Sequence, residues 1–135
     1  MNRLDSTTLV SGQIAPDDMP MIAALGVTMI VNNRPDGEEP GQPKAAEIEA
    51  AARAAGLAYR HIPIAGGFSA PQVAAMTDAL EASEGEVLAF CKSGTRSTYV
   101  WALARSSRGA GADELIGQAA EAGYDLSPLR SLLRT

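Results

Sequence analysis

Residues 86–97, EVLAFCKSGTRS, decide the fold. EVLAF is apolar after its first residue and reads as a strand buried on both faces, since strands of parallel sheets lose the alternation of half-exposed ones. CKSGTRS then carries a glycine turn, and from Arg96 to about Arg108 the pattern is helical. Strand, tight turn and helix in that order make the unit of an α/β sheet. In such sheets the crevice beyond the carboxyl ends of the strands receives ligands, and Cys91 stands at such an end.

The same alternation extends outward. A short strand is expected at 9–14, followed by a helix over 16–25, with Pro16 at a first helical position, Gly26 as the stop and Pro20 delaying or distorting the start. VTMIVNN at 27–33 reads as a central strand. It opens onto RPDGEEPGQP at 34–43, where prolines and glycines exclude helix and the length points to a functional loop. A helix over 44–56, a strand over 58–64, a link over 65–71 and a helix over 71–83, with Ser69 or Ala70 near its cap, lead to residues 86–97. Shorter helices are expected at 113–122 and 127–133. No repeat or linker divides the chain, so residues 1–135 read as one domain.

Composition narrows the function. There are 11 Lys and Arg against 16 Asp and Glu, a net charge of −5, and 46% hydrophobic residues with 20% charged, which excludes a disordered chain. One cysteine and one histidine leave no internal disulfide and no structural zinc cluster, and nothing in the pattern calls for a cofactor. The N-terminus has no apolar signal core, and no run approaches the ~18 apolar residues of a spanning helix, so the expected location is a reducing cytoplasm, away from membranes. The acidic balance is a poor footing for nucleic acid, which is held mainly by phosphate neutralisation. Any anion must therefore be captured by local geometry.

The segment 91–97 supplies that geometry. Backbone N–H groups of Lys92, Ser93, Gly94, Thr95, Arg96 and Ser97 are placed to curl into an anion nest, with Gly94 free to take a positive φ. The helix that follows points its positive end at the same spot, which together with nearby cations favours an anion or an ionised sulfur. Arg96 offers a planar fork for two oxygens of a tetrahedral anion, and Ser97 is placed to donate its hydroxyl to Cys91 Sγ. A free cysteine after a buried strand is by itself merely a small apolar residue. The surrounding glycine, arginine, serine and helix start are what point to chemistry.

CKSGTRS resembles the active-site loop of the cysteine-dependent phosphatases and the rhodanese-type sulfurtransferases. Together with VSGQI, VNNRPDGEEPGQP, a helix ending AAGL, and HIPI, it resembles the small phosphatase-like domain family, from about Leu9 to Leu126. Members of that family occur alone or joined to beta-lactamase-hydrolase-like persulfide dioxygenases. The resemblance implies a protein-tyrosine-phosphatase-like α/β fold with a mostly parallel sheet of four or five strands flanked by helices. It also implies Cys91 as nucleophile, residues 92–97 as cradle, Arg96 as oxyanion clamp and Arg34 as a substrate-binding neighbour. The ligand would be a small sulfur-containing or phosphate anion, with a persulfide-metabolising enzyme as a partner.

Two departures bear on the reaction. The tyrosine-phosphatase pattern has five residues between Cys and Arg and a His before the Cys. Here Phe90 precedes and four residues separate Cys91 from Arg96, a spacing typical of rhodanese-type loops that carry sulfur. The AGGFSA segment, where a phosphatase acid is expected, has no carboxylate, although Asp36, Glu38 or Glu39 on the long loop is available to swing in. The expectation is thus a sulfurtransferase working through a Cys91 persulfide. A cysteine-dependent phosphatase is the alternative, and a non-catalytic module sensing an anion or persulfide is a second. His61, Asn32 and Asn33 read as strand-end structural residues, Tyr99 and Trp101 as packing, and Gly66, Gly67 and Phe68 as an ordinary connection.

Overall fold

The structure, a computed structural model, describes residues 1–134, so Thr135 at the end of the expected 1–135 span lies outside the described residues. Five strands, β1 (Asn2–Arg3), β2 (Thr8–Ser11), β3 (Val27–Asn32), β4 (Ala58–His61) and β5 (Glu86–Phe90), form one sheet in the order β1-β2-β5-β3-β4. Only the β1–β2 pair is antiparallel. The sheet is therefore mostly parallel and five-stranded, as expected. β1 was not legible in the sequence, because a two-residue edge strand carries no periodicity.

Helices α1 (Met19–Ala24), α2 (Ala45–Ala54), α3 (Ala70–Ala82), α4 (Thr95–Ser107) and α5 (Ala112–Glu121) cover the sheet. Side chains of β5 alternate between two cores. Val87 and Ala89 join Met76, Val100, Trp101 and Leu115 of α3, α4 and α5, whereas Leu88 and Phe90 join Ile22, Ile48 and Ala52 of α1 and α2. Burial on both sides explains why EVLAF shows no alternation of polarity. The distortion expected at Pro20 takes the form of a 3-10 turn over Pro16–Asp18 that runs into α1, with Pro20 in its first turn, where its missing N–H has no helical partner to lose. β4 ends at His61, short of the expected 58–64, although Ile62 and Ile64 N–H still donate to Asn32 O and Asn33 O at 2.8 and 2.9 Å, and residues 127–132 form a 3-10 rather than an α-helix.

Register brings the carboxyl ends of the parallel strands level. Ser11 and Asn32 both pair with Phe90, and His61 pairs with Asn32. Cys91 N–H donates to Ser11 O at 3.3 Å and Asn33 N–H to Phe90 O at 2.8 Å, which extends the sheet one step past Phe90. The central strand thus delivers Cys91 between the ends of its two neighbours, where the covering helices also change face.

Candidate active site

Gly94 has φ +93° and caps the N-terminus of α4. Its N–H donates to Cys91 Sγ at 3.1 Å. Among the described residues, no protein group accepts from the N–H groups of Lys92, Ser93, Thr95, Arg96 or Ser97, as is ordinary for the start of a helix and the turn before it. Successive carbonyls of the loop are held by donors instead. Lys92 O accepts from Gln13 N at 3.3 Å, Ser93 O from the Tyr124 hydroxyl at 3.1 Å, and Gly94 O from the N–H and hydroxyl of Thr98 at 2.9 and 2.8 Å. The approach on the β2 side is close: a Cβ at Gly12 would stand 2.9 Å from Lys92 O.

Arg96 divides its donors between protein and cradle. Nη1 and Nη2 bind Glu38 Oε2 and Oε1 at 2.7 and 2.9 Å, and Nη1 also donates to Ile64 O at 2.8 Å. Its Nε–H has no oxygen acceptor within hydrogen-bond distance among the described residues, so the edge formed by Nε and Nη2 carries no protein oxygen on the Nε side. The Glu38 carboxylate first, and Cys91 after it, raise Arg96 above its ordinary value against the opposing effect of burial, which places the guanidinium and the sulfur in one electrostatic unit.

Arg34 departs from expectation. It is 3% exposed, and its Nε, Nη1 and Nη2 go to Glu38, Gln13 and Glu39 at 2.8, 3.0 and 2.6 Å. It braces the long loop and shares Glu38 with Arg96. Ser97 departs as well, because its hydroxyl donates to Asn33 Oδ1 at 2.8 Å and not to Cys91. Asn33 in turn donates to Ile62 O at 3.0 Å, so this buried pair ties α4 to the strand ends. Lys92 is exposed and lies 3.5 Å from Glu39, while Ser93 and Thr95 share a hydroxyl contact of 3.2 Å at the rim.

The carboxylates offered as acids are all committed. Asp36 Oδ1 accepts the Ala45 N–H at the start of α2 at 2.7 Å. Glu39 is lowered from its ordinary value by Arg34 first and then Lys92. Glu38 is lowered from 4.5 to about 2, by Arg96 foremost and Arg34 as well, against burial. A group that stays ionised to so low a pH has no proton to give. Because its folded value lies below its unfolded one, Glu38 adds stability that is complete above about pH 5 and is lost as pH falls towards 2. Glu38→Gln is therefore expected to flatten the acid limb of a urea-denaturation pH profile between pH 5 and 2. An unchanged limb would show that the pair does not form in solution.

His61 and the neighbouring asparagines bind groups of the protein itself. His61 Nε2 faces Arg34 O at 3.0 Å, and Asn32 accepts the Arg34 N–H while donating to the Tyr59 hydroxyl. Trp101 is fully buried, and Tyr99 packs on Phe68 with ring centroids 6.0 Å apart. Among the described residues no group of three or more His, Cys, Asp or Glu side chains converges as a metal site requires. No helix among them is long and apolar enough to cross a membrane.

Residues 2–108 match the family model described as the phosphatase-like domain of beta-lactamase hydrolase-like protein. The chain belongs to that family. The beta-lactamase hydrolase-like protein of Xylella fastidiosa is 44% identical over 95 residues, which cover 70% of this chain but 22% of that relative, so the chain spans about a fifth of its length. A crystal structure from Neisseria meningitidis, of a protein provisionally assigned as a phosphatase, is 33% identical, with a TM-score of 0.84 over 96% of this chain and 93% of that one. Pseudomonas aeruginosa TpbA, solved as a cysteine-to-serine variant with phosphotyrosine, is 19% identical, with a TM-score of 0.65 over 96% of this chain and 78% of that one, and shares the fold. These similarities support a cysteine-dependent phosphatase fold. They favour the phosphatase alternative over sulfur transfer.

Proposed function

We propose that the chain is a thiol-nucleophile enzyme that transfers a group whose donor departs as a ready-made anion, with sulfane sulfur as that group. The observation that carries this reading is that Asp36, Glu38 and Glu39, the carboxylates of the long loop, already accept hydrogen bonds within the protein, above all Glu38, held ionised down to about pH 2. General-acid help is worth roughly 100 to 10,000-fold, and an alkyl phosphate loses its leaving group slowly without it. Sulfite needs no proton.

In the first step the Cys91 thiolate attacks the outer sulfur of thiosulfate. The S–S bond of the donor breaks, sulfite leaves with the electron pair, and Cys91 becomes a persulfide beside the Gly94 amide and the open edge of Arg96. In the second step cyanide or a thiolate attacks the terminal sulfur, releasing thiocyanate or a new persulfide and restoring the thiolate. No oxidant enters either step.

Phosphomonoester hydrolysis is the second reading, favoured by the similarity to the Neisseria protein assigned as a phosphatase and to the Pseudomonas protein solved with phosphotyrosine. Here the sulfur attacks phosphorus, the ester oxygen leaves, and water hydrolyses the thiophosphate. With no free acid it would act best on aryl phosphates, whose phenolates leave unaided. Intact-mass measurement after incubation with thiosulfate separates the two. The expected result is a gain of one sulfur atom that cyanide removes. No adduct, together with turnover of p-nitrophenyl phosphate, would overturn sulfur transfer and leave the phosphatase. A partner enzyme that makes or consumes persulfides fits the first reading, as the larger relatives join this domain to further chain.

A further inference from the structure

Tyr124 lies beyond residues 2–108, the span of the family match, yet its half-buried side chain reaches the cradle. It follows α5 and the turn at Gly123, where φ is +96°, and its N–H returns to Ala119 O at 2.8 Å, which fixes where the ring emerges. The hydroxyl donates to Ser93 O at 3.1 Å. It also lies so near the backbone that a Cβ built on Gly94 would be 2.1 Å away.

Ser93 O and the Gly94 N–H belong to one peptide unit, and in a trans peptide they point in opposite directions. Tyr124 holds the carbonyl from outside while the N–H reaches Cys91 Sγ on the inside at 3.1 Å. The two neighbouring peptides have backbone restraints, from Gln13 and from the first turn of α4. The Ser93–Gly94 unit borders a glycine at positive φ, where a peptide flip meets little steric resistance. A flip would turn the carbonyl oxygen towards the sulfur and any bound anion.

We propose that Tyr124 is a positioning residue of the cradle, which keeps the Ser93–Gly94 peptide turned with its N–H on the Cys91 sulfur. Its action rests on the reading of Cys91 as nucleophile, since the amide it aims serves that sulfur and the persulfide or oxyanion formed there. A second link between ring and sulfur is electrostatic. Burial raises the Tyr124 hydroxyl above its ordinary value, Asn2 opposes this, and charge on Cys91 adds to the rise. Polarisation along the chain from hydroxyl through peptide to sulfur strengthens each bond in turn.

Tyr124→Phe removes the hydroxyl and keeps the ring. Loss of a hydrogen bond of ordinary net strength corresponds to about a 2- to 10-fold effect. The expected result is a fall of that size in the rate of Cys91 alkylation by iodoacetamide at pH 7 and in turnover of thiosulfate with cyanide. The Gly94 amide proton should move upfield in the NMR spectrum and exchange faster, at a melting temperature within a few degrees of the parent. A Gly94 resonance and an alkylation rate both unchanged would overturn the proposal. If the parent protein forms no covalent intermediate while the Gly94 resonance still moves on substitution, the tether stands and the nucleophile reading falls.

Discussion

Cys91→Ser is expected to abolish the sulfur adduct and to reduce turnover by about ten-thousandfold or more, while the fold and anion binding persist. The magnitude follows from what the variant retains. A serine oxygen can still accept the Gly94 N–H, and the open amides of the cradle with the free edge of Arg96 still bind an anion. Binding and oxyanion stabilisation without the nucleophile leave only a small residue of catalysis in enzymes that work through a covalent intermediate. The hydroxyl is far weaker as a nucleophile because no base stands beside it: the sole histidine is spent on Arg34 O. Intact-mass spectra and steady-state rates of both proteins provide the measurement. Turnover within tenfold of the parent would remove Cys91 from the reaction under either reading.

This site was legible in sequence where the chemistry is local. EVLAF, the turn and the start of α4 occupy contiguous residues, so the burial of the strand, the glycine at Gly94 and the placing of Arg96 follow from short-range pattern, and β5 appears at its expected residues. Side-chain partners drawn from distant segments were not legible. Glu38 and Arg96 are 58 positions apart, and nothing in RPDGEEPGQP tells whether its carboxylates face solvent, accept a helix start or bind a guanidinium. All three had been singled out as mobile acids, but each turned out to be an acceptor already occupied. Ser97 went astray for a related reason. Its spacing from Cys91 suggested a contact with the sulfur, but in the first turn of a helix its hydroxyl points to the neighbouring strand end, where Asn33 waits 64 positions away. Tyr124 gave no signal at all, because an aromatic after a glycine turn reads as packing until the fold sets it against Ser93 O.

Arg96→Lys is expected to lower kcat/KM by about 100- to 1,000-fold, the range found when a pre-set donor to a developing oxyanion is removed. The charge is preserved, so the loss isolates geometry. Arg96 meets Glu38 with Nη1 and Nη2 and Ile64 O with Nη1, and this triple hold aims Nε and the second Nη2 proton at one anion as a parallel pair. A lysine has a single nitrogen. If it answers Glu38 it leaves the cradle, and if it faces the cradle it leaves Glu38 with Arg34 alone as its cation. Around the site Arg34, Lys92 and Arg96 stand against Glu38, Glu39 and the attacking Cys91 thiolate, so three positive charges less three negative leave none. With no excess charge in a protein of net charge −5, field strength cannot make up for lost direction. The deficit should therefore persist when ionic strength is varied, as screening acts on exposed charges separated by more than about 10 Å and hardly on a directed pair of hydrogen bonds. Rates measured for Arg96→Lys at low and high salt test both parts, and a parent-like rate at either salt would show that Arg96 is not the clamp.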